Sequence, residues 1–180
     1  MKRIAVFCGS MKGARDSYTE AARTLGGLLA ASNITLVYGG GKVGLMGILA
    51  DAVMDNGGKV IGIIPEKLMD MEVGHKGITE LIVVKNMHER KAMMSELSDA
   101  FVCLPGGIGT LEEIFEVYTW SRIGYHSKPC GLINVDGFYD PLSDLLSHTV
   151  KEGFLSAASA EDLLVDPDAA NLLARMQLLA

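Results

Sequence analysis

Two short stretches hold the side chains best suited to chemistry. Pro105-Gly106-Gly107-Ile108-Gly109-Thr110-Leu111-Glu112-Glu113 joins a glycine-rich turn to a pair of carboxylates, and Asn86-Met87-His88-Glu89-Arg90-Lys91 brings a guanidinium and an ammonium together at a helix start. A glycine turn entering a helix exposes backbone N–H groups at the positive end of the helix dipole, so Gly106, Gly107, Gly109 and Thr110 form a candidate phosphate cradle. The turn lacks the Gly-Lys-Ser/Thr ending of a P-loop, which argues against ordinary nucleoside triphosphatase chemistry. At the same helix start, Glu113 is a candidate for acid/base work. Glu116 follows one helical turn later, so Glu112, Glu113 and Glu116 crowd one helix start, where like charges can raise the pKa of one member. A structural alternative stays open: Thr110 to Glu113 also has the form of a capping box, with Thr110 as the cap.

In the second stretch Asn86 and Glu89 pair as caps, while Arg90 and Lys91 fall in the first turn, where cations oppose the helix dipole. A bound phosphate or a developing anion would offset that cost, and the guanidinium fork suits an oxyanion. The plain alternative is a solvated basic pair. Met87 can line a nucleobase pocket. His88 has no cluster of metal ligands around it, and no metal is expected.

Two further glycine turns, Gly9-Ser10 and Gly39-Gly40-Gly41-Lys42-Val43-Gly44, bring Ser10, Gly40 and Gly41 into the candidate site. The second matches GxGxxG but does not follow the first strand, and Lys59 stands where an acidic residue belongs about 20 positions later, so a dinucleotide site is not supported.

The elements that must position these residues are an alternation of short β-branched apolar runs and longer segments of helical period. That pattern predicts a doubly wound, Rossmann-like α/β fold, a parallel sheet with helices on both faces. Strands are expected at Arg3–Cys8, Thr35–Tyr38, Lys59–Ile64, Leu81–Val84, Ala100–Leu104 and Gly131–Asn134. Helices are expected near Asp16–Ala31, Leu45–Asn56, Met87–Leu97, Leu111–Ile123 and Pro141–Glu152, with a last one at Pro167–Met176 carrying Pro167 in its first turn. In such sheets ligands bind beyond the carboxyl ends of the strands, where all three glycine turns fall. The irregular stretch Glu66–Ile78 is a candidate lid or pocket wall.

The 180 residues suit one domain, 1–180, and 49% hydrophobic with 21% charged residues suits a folded core. A net charge of -6 excludes a nucleic-acid polymer as partner, though not a small phosphate ester. Cys8, Cys103 and Cys130 lie in or beside apolar runs without metal-ligand spacing and read as reduced thiols. No stretch has the length of a secretory signal or a membrane span, so a cytoplasmic protein is expected.

Taken together, Pro105–Glu113 as PGGxGTxxE and Met87–Lys91 as MHxRK resemble the LOG (LONELY GUY) family of cytokinin riboside 5′-monophosphate phosphoribohydrolases. Supporting matches include Cys8-Gly9-Ser10, Tyr38-Gly39-Gly40-Gly41, Gly44-Leu45-Met46-Gly47, Thr119-Trp120 and Asn134-Val135-Asp136-Gly137. The resemblance implies a homodimer that hydrolyses AMP or N6-modified AMP to free base and ribose 5-phosphate, with Arg90 and Glu113 as the catalytic pair. It implies nucleotide contacts from Glu72, Lys91, Gly107 to Glu113 (Ile108, Leu111 and Glu112 included) and Thr119. Members also carry a lysine decarboxylase label, but no pyridoxal phosphate site stands out in the sequence, and no cofactor is expected. Two rivals remain: a nucleotide-binding carrier, which would not need Glu113, and a nucleosidase for another phosphoribosyl compound.

Overall fold

Apolar residues face both ways along nearly every strand, and the chain accordingly buries its strands between two layers of helices. The computed structural model describes residues 1–69, 71 and 73–179. Its elements run β1 (Arg3–Phe7), α1 (Asp16–Ala31), β2 (Thr35–Tyr38), α2 (Gly44–Asp55), β3 (Val60–Pro65), β4 (Glu80–Val84), α3 (Met87–Leu97), β5 (Ala100–Cys103), α4 (Ile108–Arg122), β6 (Cys130–Ile133), α5 (Asp140–Lys151), α6 (Ala157–Glu161), β7 (Leu163–Asp166) and α7 (Ala169–Gln177). The seven strands form one parallel sheet in the order β4-β3-β2-β1-β5-β6-β7.

The period of two in β1 divides the core. Ile4 and Val6 pack with α1, α2 and α7, whereas Ala5 and Phe7 pack with α3 and α4 on the other face, where Phe7 stacks on Phe101. Burying such side chains stabilises the fold by about 1.5–3 kcal/mol each, which makes these short strands a rigid platform. The chain winds outward from β1 to β4, then crosses back through α3 to β5 on β1's other side. That reversal puts a switch point between the carboxyl ends of β1 and β5, and Gly9 N–H donates to the Pro105 carbonyl across it at 3.1 Å.

The expected doubly wound sheet is present, with two departures from the expected elements. Strand β7 and helix α6 were not expected, because Leu163–Asp166 is short and carries a single β-branched residue. Pro167 precedes α7 rather than opening it: Asp168 is the cap, its Oδ1 accepting from Asn171 N–H at 2.8 Å. Among the described residues no helix is long and apolar enough to cross a membrane, and no group of three potential ligands could hold a metal ion.

Candidate active site

Helix α3 starts where the sequence places it because Asn86 caps it. The Asn86 side chain accepts from Glu89 N–H at 3.0 Å, and the Glu89 carboxylate reaches back to Lys85 N–H at 2.9 Å. This fixes the first turn so that Arg90 points inward. Only 4% of Arg90 is exposed; its Nη2 donates to the Gly39 carbonyl at 3.1 Å and its Nη1 lies 3.7 Å from the Met87 sulfur.

Helix α4 begins at Ile108 with Gly107 as its cap, earlier than the capping-box reading places it. Thr110 is therefore inside the first turn and is buried, and Gly106 is what makes room for it: a Cβ at 106 would lie 2.2 Å from the Thr110 hydroxyl oxygen. The capping-box reading of Thr110 is thus corrected. Gly107 has no side chain with which to cap α4, so no side-chain cap competes with an anion at this helix start.

The two helix starts meet in a cleft of about 360 Å³ at the switch point. Arg90 and Met87 line one wall, and Gly107, Ile108, Gly109, Thr110, Glu112 and Glu113 line the other. Ser10 and Met11 form the rim from the β1 turn. Four lining residues were not foreseen: Cys8, Met11, Met46 and Leu68. Cys8 had a usable signal, since it directly follows the end of β1 at the same sheet edge, whereas Met46 comes from the first turn of α2. A smaller apolar pocket of about 240 Å³, lined by Gly106, Tyr18 and Phe138, adjoins the cleft through Ser10, Met11 and Gly107.

Cys8 reports the local field. Burial holds its thiol well above the usual range, the nearby Cys103 and the Glu113 carboxylate raise it further, and the Arg90 guanidinium pulls it down. Both candidate catalytic charges are thus felt at one buried sulfur, which stays a neutral thiol and is no nucleophile.

Other expected residues lie elsewhere. Lys91 sends its ammonium to Glu112 at 2.6 Å and Glu116 at 2.9 Å, so the protein itself supplies a counter-charge to two of the crowded carboxylates. Desolvation alone would lower the pKa of Lys91, but its hydrogen bonds to Glu112 and Glu116 prevail and raise it. Glu116 is committed to this contact rather than to the cleft. Leu111 turns into the core beneath α4. Gly40 and Gly41 are buried against Gly74 and His75, where Gly40 O accepts from His75 N–H at 2.8 Å and Gly41 bridges Gly74. Thr119 lies well along α4 in a separate groove with Phe115 and Arg122. Glu72 falls outside the described residues.

The family model described as "Possible lysine decarboxylase" matches residues 46–176. The chain is 49% identical over 176 residues, 98% of its length and 82% of the relative's, to the cytokinin riboside 5′-monophosphate phosphoribohydrolase LOG3 of Arabidopsis thaliana. It is 48% identical over 177 residues to the enzyme of the same description from Rhodococcoides fascians, covering 98% of this chain and 89% of that one. The chain belongs to the LOG family. A molybdenum cofactor binding protein from Rippkaea orientalis shares the fold of this LOG-family chain, with a TM-score of 0.73, 23% identity and coverage of 99% and 97%. The decarboxylase description does not suit the LOG-family cleft: imine formation needs a neutral amine, whereas Lys91, beside the cleft, is gripped by two carboxylates and held protonated.

Proposed function

We propose that this LOG-family protein hydrolyses the N-glycosidic bond of AMP or N6-modified adenosine 5′-monophosphates, yielding free base and ribose 5-phosphate. The observation that carries this reading is that Arg90 and Glu113, from separate helices, line one cleft together with the open N-terminus of α4. The names of the relatives point to the same reaction.

In this reading the phosphate lies against the backbone N–H groups of Gly107, Ile108 and Gly109, aligned with the dipole of α4. The bond from C1′ to the base nitrogen breaks with its electron pair leaving on the base, and positive charge builds on the ribosyl centre. The Glu113 carboxylate stabilises that charge and takes a proton from the water that adds to C1′, while the departing base takes up a proton from solvent, so that the free base and ribose 5-phosphate balance the water consumed. Arginine is too weak an acid to give up its proton, so Arg90 polarises the departing base or holds an oxyanion by hydrogen bonding. Met11, Met46, Leu68 and Met87 supply soft apolar walls suited to a purine face.

The protein acts as a cytoplasmic homodimer in this proposal. Three buried free thiols suit a reducing compartment. An exposed apolar groove between α4 and α5, with Phe154 88% and Ile123 63% exposed, supplies a surface for self-association.

Chromatography of products from a nucleotide panel tests the reaction. Free base and ribose 5-phosphate are expected from 5′-monophosphates, with kcat/KM for AMP and for its N6-isopentenyl derivative defining preference. Inertness toward every 5′-monophosphate would overturn the proposal.

A further inference from the structure

Lys91 stands next to the buried Arg90, yet its ammonium is turned to two carboxylates of α4 and does not line the cleft. It is only 14% exposed and is held between Glu112 at 2.6 Å and Glu116 at 2.9 Å. Together the three side chains carry a net charge of -1, which repels rather than attracts a phosphate dianion. The contact ties the start of α3 to the second and third turns of α4. Those segments hold Arg90, one residue before Lys91, and Glu113, one residue after Glu112. The far end of α3 has its own tether, Lys128 Nζ donating to the Ser95 carbonyl at 2.7 Å.

We propose that Lys91 is a positioning residue: by clamping Glu112 and Glu116 it fixes the spacing of α3 and α4, and so the placement of Arg90 against Glu113. This rests on the hydrolase reading above. The clamp also answers the question raised by a cation at the start of α3. Its unfavourable interaction with the helix dipole is offset by carboxylates of the next helix, so no ligand is needed for that purpose. Because kcat depends on the mutual placement of reacting groups, a slackened clamp lowers turnover while leaving the phosphate anchor on α4 untouched; misplacement by about 1 Å can cost roughly 100-fold.

The test compares wild type, Lys91→Met, Lys91→Arg and Lys128→Met, with base release, AMP affinity by calorimetry and Tm measured for each. Lys91→Met is expected to lose roughly 10- to 100-fold in kcat with AMP affinity within about twofold. Lys91→Arg, which keeps the charge and can bridge both carboxylates, restores most of the turnover. Lys128→Met releases the other end of the same helix and lowers Tm without a matching loss of kcat, which separates positioning from general stability. If AMP affinity falls by the same factor as kcat/KM in Lys91→Met, Lys91 is a nucleotide ligand and the proposal fails. It fails equally if kcat is unchanged. A wild type that releases no base sinks the hydrolase reading, and with it any effect of Lys91 on turnover, whatever the AMP affinities.

Discussion

The Arg90 guanidinium occupies the space that a side chain at Gly39 would need: Nη2 donates to the Gly39 carbonyl at 3.1 Å, and a Cβ at 39 would come within 1.9 Å of it. Glycine at this position is thus a condition for the arginine's placement at the end of β2. Gly39→Ala should force the guanidinium out of its seat, because the backbone is held by the sheet. Overpacking of this kind costs about 1–3 kcal/mol of stability. Steady-state kinetics should show kcat down by tenfold or more, and a variant with wild-type turnover would contradict the role given to Arg90.

Asp51 and His75 make a second prediction. His75 is buried, its Nδ1 accepts from Gly77 N–H at 3.2 Å, and its Nε2 therefore donates to Asp51 at 2.8 Å. This pins residues 73–75 over the glycine turn, where Lys42 N–H meets the Val73 carbonyl and His75 N–H meets the Gly40 carbonyl. Asp51→Ala removes one hydrogen bond worth about 1 kcal/mol. Hydrogen exchange at the Lys42 and His75 amides should accelerate roughly fivefold, while amides in β1 keep their protection. Equal acceleration in β1 would mean a global effect instead.

The buried thiols give a pH prediction. Burial pushes Cys103 and Cys130 up to about 12 and holds Cys8 well above its usual value. Folded-state values lie above those of the unfolded chain, so folding is unpenalised below about pH 9 and loses stability as pH rises toward 12. Each thiol contributes a slope of about 1.4 kcal/mol per pH unit in that window. Thiol reagents at pH 7.5 should label none of the three until denaturant unfolds the chain. Rapid labelling of Cys8 in the native protein would refute the neutral-thiol assignment.

The sheet and the location of the site were legible because both rest on local pattern. Apolar runs such as Ile4–Cys8 and Ala100–Leu104 announce buried strands, and glycine turns directly after them mark the carboxyl edge. The Asn86–Glu89 cap was legible for the same reason, since its partners are three residues apart. What escaped depends on contacts distant in sequence. Lys91 meets Glu112 and Glu116, which are 21 and 25 residues away, so a motif that reads as two basic residues beside three acids folds into an internal clamp. Gly39 reads as part of a phosphate loop, but it makes room for an arginine 51 residues later. Thr110 fits the capping pattern, yet Gly107 takes the cap because Thr110 packs over Gly106.

Turnover of N6-isopentenyladenosine 5′-monophosphate by Glu113→Gln, with the affinity of the same variant for AMP, tests the role of the cleft most directly. The amide keeps the shape of the side chain but can neither balance positive charge at C1′ nor accept a proton from water. Base release should fall by roughly 100- to 10,000-fold while AMP binds within a few-fold of wild type. A Glu113→Gln protein that releases base at the wild-type rate would contradict the account.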